Sequence, residues 1–598
     1  MPTQLLLTFL LTWGLLIAVF CGCGLWMLRP FNLVPDRLDR WFLAFWIGWA
    51  GVLVFLQMWH FAFPINAAAR IVIGIVGLSG LLVNGWAGLR LITNLSAGKI
   101  IFALLMLLFS VWLANRSINF PENVWDTGLY HVQAVEWASS YEIVPGLGNL
   151  HSRFGFSTTF FLYGALLNTG FWLHRTFHIA NGLLFLVLFI QMSASLYALL
   201  RARRFSLYHV FNAAFVPVIG WLMVAETYLP TALTPIPTLS NDPPIFALGL
   251  VTASQLICLI THKDEAAKTA LFRLFFIVLV SSIGVAIKFN HIIPGALMSL
   301  LALVVWVRRY APEKAIRITA YMALAAAAVF VPMFARSVIY TGYPLYPLTI
   351  APFPVDWRMD GEVAATEMRF IRAFARDSAT HFEEVGDDWL ETWLEANLRP
   401  RLTRSHLYFT VPLALMVMAC TLLLSLRFIA PLRKRTDTLH PALWMLLGAM
   451  VISLTYWFLT APAVRFAGAT LWILGIGAAS IIVTIIRWGE RRWPVLLYCA
   501  GVIFLIFVPF LAPKSLDFWI EPEGEGGLHT ITEAVRLEQF TTDSGLVVWH
   551  PRLNNKCWFA PLPCTPYPHP NLRLRVPGEM RHGFDIDIGP DDPPRPIN

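Results

Sequence analysis

Fourteen apolar stretches punctuate this chain, near residues 5–27, 41–60, 71–89, 100–114, 179–200, 209–225, 244–261, 271–287, 290–307, 319–335, 407–426, 441–459, 469–486 and 494–511. A helix needs roughly 20 apolar residues to cross the hydrocarbon core of a bilayer. Only 13% of the 598 residues are charged, against about a quarter in soluble domains, and 57% are hydrophobic. A soluble enzyme, a disordered scaffold and a nucleic-acid binder are thereby excluded. The net charge of +8 comes from short basic clusters between apolar runs. The expectation is an all-α polytopic membrane protein of about fourteen transmembrane helices. The first run, Leu5 to Leu28, lacks a basic leader and is long enough to span, so it reads as a helix and not a cleavable signal.

Lysine and arginine orient the spans, because they accumulate in cytoplasmic connections. The segments 28–40, 90–99, 201–208, 262–273, 307–318, 427–440 and 487–493 hold twenty-two of them, whereas the short connections of the opposite face hold six. The first group is assigned to the cytoplasm. Both termini and three polar segments (115–155, 336–405 and 513–598) then lie outside. The run 156–173 becomes re-entrant or interfacial. A rival arrangement lets 156–173 span and makes 209–225 re-entrant, at the cost of placing the Arg201–Arg204 cluster outside. Residues 1–512 form the transmembrane domain and 513–598 an outer-face tail. Transporters often show paired, Gly/Pro-interrupted helices in matching halves, and channels show pore-lining rings. Neither pattern stands out. The polar inventory gathers in loops on one face, as suits an enzyme working at a leaflet surface.

The first outer loop contains Trp125-Asp-Thr-Gly-Leu-Tyr130-His131-Val-Gln133-Ala-Val-Glu136. In a regular helix Asp126, Tyr130 and Gln133 would share one side, with His131 and Glu136 turned elsewhere. Asp126 suits a general base or a cation anchor, or equally a helix N-cap. The turn Pro145-Gly-Leu-Gly-Asn-Leu-His151-Ser-Arg153 offers backbone N–H groups, His151 and Arg153 to an anion, or serves as a plain re-entry turn. Asp242, Lys288 and Arg465 fall at outer helix ends, where charges are costly and mark function, or simply reach headgroups. In the long loop Asp356 is singled out, and Asp387–Glu395 is amphipathic enough to lie along the surface as a lid. Cys557 and Cys564, in the Pro-rich tail, read as a disulfide.

Together Trp125–His131, Pro145–Arg153, Val355-Asp-Trp357, Pro462-Ala-Val-Arg-Phe466 and the Cys557-to-Arg575 tail resemble a little-characterised family of bacterial polytopic membrane proteins. That family looks like a distant relative of the GT-C glycosyltransferases, such as protein O-mannosyltransferases and the aminoarabinose transferase of lipid A. The resemblance implies a polyprenyl-phosphate-linked sugar as donor, membrane lipid as surroundings and the outer face of the bacterial inner membrane as the place of action. It makes Asp126 the general base or metal-anchoring acid, and His131 is counted with it as a catalytic candidate. Tyr130, His151, Arg153, Asp242, Lys288, Asp356 and Arg465 become the candidates for holding substrate. A lone Asp126, with Glu122 four residues before it, departs from the paired acids of many such enzymes and leaves a divalent cation an open question. A polymerase or ligase of lipid-linked glycans would use the same residues. A transporter or flippase of a lipid-linked oligosaccharide is the reading from another class.

Overall fold

The computed structural model describes residues 2–88, 96–118, 125–202, 205–228, 236–386, 388–399, 407–486, 492–507 and 536–586. Its long helices are α1 (Pro2–Leu28), α2 (Leu38–Trp59), α3 (Ala67–Asn84), α4 (Ala97–Ile118), α5 (Val132–Ser140), α6 (Phe160–Leu167), α7 (Ala180–Arg201) and α8 (Leu207–Tyr228). They continue with α9 (Asp242–Thr261), α10 (Ala267–Ile287), α11 (Ile292–Tyr310), α12 (Ala315–Thr341), α13 (Gly361–Arg376) and α14 (Trp389–Leu398). The last four are α15 (Leu407–Ser425), α16 (Pro441–Thr460), α17 (Thr470–Ile485) and α18 (Arg492–Phe507). Among the described residues eleven helices are long and apolar enough to cross a membrane, and three shorter apolar ones lie within α8, α17 and α18. The chain is therefore built as a multi-pass membrane protein.

The bundle has an inside and a lipid-ready outside. The windows of α9 and α10 are 94% and 89% buried, whereas those of α3 and α4 are each 22% buried. On the outer helices Leu7, Leu11, Leu15, Ile71, Ile75, Leu82, Leu104 and Leu108 stand exposed. In water a patch of this size would be a liability; against acyl chains it is a girdle. Inside, α1 lies directly on α2 and α3. A Cβ on Gly22 would stand 1.8 Å from the Gly77 carbonyl oxygen, and one on Gly24 1.8 Å from that of Ala44. Small residues let backbones touch where no hydrophobic effect drives helices together.

The run 156–173 forms no helix long enough to cross a membrane. Its only α-helix, α6, has eight residues and rises ~12 Å. Arg70 of α3 holds the end of α6, donating to the carbonyls of Ala165, Leu166 and Asn168. By contrast 207–228 is one 22-residue helix despite Pro217. The long loop also begins later than 336: α12 continues to Thr341 and stops at Gly342, whose φ of +80° suits a residue without Cβ.

The described tail, residues 536–586, forms two small antiparallel ribbons. Leu537–Thr541 (β1) pairs with Val547–Pro551 (β2), and Leu572–Leu574 (β3) pairs with Phe584–Ile586 (β4). Cys557 and Cys564 are joined by a disulfide, as expected. The tail is sewn onto the first loop. Trp558 N–H donates to Gly128 O at 3.0 Å, Phe584 N–H to Pro145 O at 3.0 Å, and Gln133 Nε2 to the carbonyls of Trp558 and Ala560.

Asp356 belongs to this seam. Arg575 of β3's outgoing chain forks onto its carboxylate (Nη2 to Oδ2 2.8 Å, Nε to Oδ2 3.1 Å) and lies 4.4 Å above the Trp357 ring. The Asp356 side chain is 65% exposed, so solvent screens the pair. Asp356→Ala should therefore cost at most about 1 kcal/mol. The readout is limited proteolysis, which should cut the tail faster while the helical bundle melts at an unchanged temperature.

Candidate functional site

The site starts one residue after the described part of the first loop begins. Trp125 and Asp126 open a helical turn, Thr127–His131 is a π-turn, and α5 follows. Such turns recur at functional sites because one extra residue shifts the phase of everything beyond it. Here the extra residue answers the tail: a Cβ on Gly128 would lie 2.5 Å from the Trp558 indole. Two expectations from regular helix spacing change as a result. Gln133 faces the tail and not Asp126. His131, five residues after Asp126, comes round to feel its charge. Glu136 does point away, toward His174 at 2.9 Å.

Asp126 makes no capping hydrogen bond. Its Oδ1 accepts from Arg153 Nη1 at 2.8 Å. Arg153 is delivered by the 145–155 turn, and its guanidinium lies over the rings of Tyr130 (5.6 Å) and Phe370 (5.3 Å). A second carboxylate approaches from below: Glu367 Oε1 stands 3.4 Å from Arg153 Nε, while its Oε2 accepts from Ser152 Oγ at 2.9 Å. His151 Nδ1 accepts from the Arg153 backbone N–H at 3.1 Å, and its ring lies between those of Tyr130 and Tyr567. The glycines of the turn serve close packing: Cβ atoms on Gly148 and Gly155 would strike Met359 and Thr341. Gly146, at φ +63°, donates its N–H to Ile339 O. These glycines explain the turn without an anion.

The two other cations lie at helix ends. Lys288, between α10 and α11, pairs with Asp242 at the start of α9, and its Nζ sits 4.3 Å above the Phe466 ring. Arg465 follows α16 and stacks over Phe466 (5.3 Å) and Phe374 (5.9 Å), with no carboxylate partner among the described residues. Asn290 ties this corner together by donating to Phe466 O at 2.8 Å.

Electrostatics join the two halves. Burial alone would raise the Asp126 carboxyl, but the charges of Arg153, Arg465 and Lys288 outweigh it and hold it below its ordinary value. Burial pushes His131 down to about 3, so the ring is neutral at pH 7. It also raises the Tyr130 hydroxyl, an effect that the Asp126 charge reinforces. Desolvation acts to lower Arg153, yet Glu367 and Asp126 more than compensate, and its charge is secure. Thus Asp126, Tyr130, His131, His151, Arg153, Asp242, Lys288 and Arg465 gather in one corner of the loop face. Asp356 is engaged with Arg575 instead. Glu122 and Asp387 lie outside the described residues. Among the described residues no three of His, Cys, Asp and Glu stand together as metal ligands.

Sequence reading missed Glu367 and the two phenylalanines above the cations. All three sit on α13, which it left inside a loop. A signal was present: Asp360 caps the helix by accepting from Glu362 and Val363 N–H, and Val363, Glu367, Phe370 and Phe374 follow at spacings of four, three and four. A carboxylate on an otherwise apolar stripe is one that expects a cation. The expected surface helix is α14, which docks through buried Trp393 onto Phe409, Trp457 and Phe458, with Trp393 Nε1 donating to Pro462 O at 2.9 Å.

The sequence model of the family described as "Domain of unknown function (DUF8201)" matches residues 6–472. The chain belongs to that family. The matched segment holds every charged residue of the site, from Asp126 to Arg465, while the DUF8201 match ends before the tail that closes over Gly128. No curated protein matches the chain, and neither does any solved structure.

Proposed function

We propose that this DUF8201 protein is a GT-C-like glycosyltransferase that moves a sugar from a polyprenyl-phosphate donor to an acceptor on the outer face of the bacterial inner membrane. One observation supports the reading most: a carboxylate and three cations, from four separate parts of the chain, converge at helix ends on the face where the polar loops gather. In this reading about fourteen helices span, counting the shorter apolar ones of α8, α17 and α18 with the eleven long ones. The twenty-two basic residues of the opposite connections keep that opposite face cytoplasmic.

The chemistry needs little beyond placement. Asp126 takes the proton of an acceptor hydroxyl as its oxygen attacks the anomeric carbon. The bond from that carbon to the phosphate oxygen breaks with inversion, and the phosphate leaves with the electron pair. Cations fixed in a partly dry corner stabilise that departing charge. Arg465 has no competing carboxylate, and Lys288 has one. Arg153 has two and so orients Asp126 at rest.

The test is thermal stabilisation of the detergent-purified protein by undecaprenyl phosphate. A ligand that binds only the folded state raises Tm with occupancy, by about 2.7 kcal/mol of stability at a hundredfold excess over Kd. The rise should be largest for wild type and nearly absent in Arg465→Ala. Decaprenol without phosphate should give little. A wild type that does not respond, beside a responsive control enzyme, removes the lipid-carrier premise.

A further inference from the structure

The tail brings one cation to the neighbourhood of Asp126 without a counter-charge. Its Arg552, Arg573, Arg575 and Arg581 are paired with Glu538, Asp585, Asp356 and Glu142. Lys556 has no carboxylate partner among the described residues. Its Nζ lies instead 4.4 Å from the centre of the Trp125 ring and 6.0 Å from that of Trp558. Trp558 is buried, whereas Trp125, the residue before Asp126, is 50% exposed. An exposed indole beside a reactive carboxylate is a surface held ready for something other than protein.

The contacts around it close on themselves. Asn555, next to Lys556, donates from Nδ2 to Tyr567 Oη at 3.4 Å, and the Tyr567 ring lies 5.8 Å from that of His151. His151 accepts from the Arg153 backbone N–H, and the Arg153 guanidinium holds Asp126. The circuit from Trp125 through the tail and His151 thus returns to Asp126, whose side chain keeps 24% of its exposure. Cys557 follows Lys556 and Cys564 lies three residues before Tyr567, so the disulfide fixes the tail's contributors in one small loop. Asn554 and Asn555 turn that loop at φ +67° and +48°, a conformation that asparagine tolerates better than most residues. Fastening the tail does not require this group. Backbone hydrogen bonds of Trp558 and Phe584, with the Gln133 amide, already do so.

We propose that Trp125, Asn555, Lys556 and Tyr567 bind a saccharide that carries an acid group. The apolar C–H side of a sugar ring lies against the exposed indole, as flat aromatic surfaces offer area at little entropic cost. The ammonium of Lys556 meets the carboxylate or phosphate of the sugar, and the Asn555 amide and Tyr567 hydroxyl meet its hydroxyl groups. Bound there, the saccharide has a hydroxyl beside Asp126 and serves as the acceptor of the transfer, a role that rests on the transferase reading above. The charged residues assigned to the donor all fall within the DUF8201 match, whereas Asn555, Lys556 and Tyr567 lie beyond its end at residue 472. The acceptor end is therefore supplied largely by this chain's own tail.

The experiment is calorimetric titration of the full-length protein in detergent with pentagalacturonate and, as the neutral control, maltopentaose. Wild type should bind the acidic oligomer roughly fivefold more tightly, the scale of one partly exposed charge pair. Lys556→Met keeps an unbranched stem on Trp125 and should erase that preference; Trp125→Ala should weaken both oligomers. Arg581→Met, which removes another tail cation, should bind as wild type does. No binding by wild type, no preference for the acid, or an equal preference in Lys556→Met overturns the surface. Thermal stabilisation by undecaprenyl phosphate, measured on the same samples, separates the two ideas. Saccharide binding without that stabilisation keeps the surface and ends the transferase reading, and stabilisation without saccharide binding does the reverse.

Discussion

Asp126→Asn should abolish most sugar transfer, lowering the rate by about 10²–10⁴-fold, because the substitution keeps the side chain's shape and removes its ability to take a proton. The measurement is single-turnover transfer from a radiolabelled polyprenyl-phosphate sugar, at saturating donor. Donor binding should be almost unchanged or slightly tighter, since the amide no longer competes for Arg153. This split matters. A loss of binding with unchanged turnover would make Asp126 a structural partner of Arg153 and nothing more. Transfer at the wild-type rate would remove Asp126 from the chemistry, and with it the GT-C-like reading of this corner.

The second large effect is on stability. Arg153→Ala removes the one cation between Asp126 and Glu367, leaving two carboxylates in a site where their side chains are 24% and 1% exposed. Breaking a buried pair from one side costs about 3–5 kcal/mol, most of it from the charge left behind. The partial exposure of Asp126 puts the expectation near the lower end. A second substitution, Glu367→Gln, should recover part of the loss in the Arg153→Ala background, which a purely steric role for Arg153 would not allow. Acid should act in the same direction in wild type. The folded-state value of Asp126 is depressed, so its contribution is complete above its unfolded value of about 3.9 and is lost as pH falls through the lower folded value. Tm differences between wild type and Arg153→Ala should therefore persist at pH 5 and shrink below about pH 4.

How much of this was legible beforehand divides along a physical line. The multi-pass character was readable because hydropathy over about 20 residues is a property of the local chain. Asp242, Lys288 and Arg465 stood out for the same reason, as charges at the ends of apolar runs. Pairings were not. Nothing local links Asp126 to Arg153 and both to Glu367, and the last two meet only because α12 and α13 fold back over the 145–155 turn. The π-turn was hidden as well. It depends on Trp558 of the tail lying against Gly128, and a helix read in isolation keeps its regular phase. Asp356 looked like a site acid because its arginine partner lies in the tail, far along the chain.

The contacts between loops also impose a rule of parity. The 125–155 segment touches 339–367, so the chain must cross the bilayer an even number of times between them. Five of the long apolar helices lie in that interval. If those five cross, a sixth must, and among the described residues α8, kinkable at Pro217 and 22 residues long, is the remaining helix of sufficient length. The tail touches the same loop, so the crossings after α14 must again be even. If the long helices α15 and α16 make two, and only the described helices are counted, the shorter α17 and α18 cross together or not at all. Two hydrogen bonds from a small disulfide-linked ribbon thus constrain how the last helices are threaded, which hydropathy alone leaves as separate decisions.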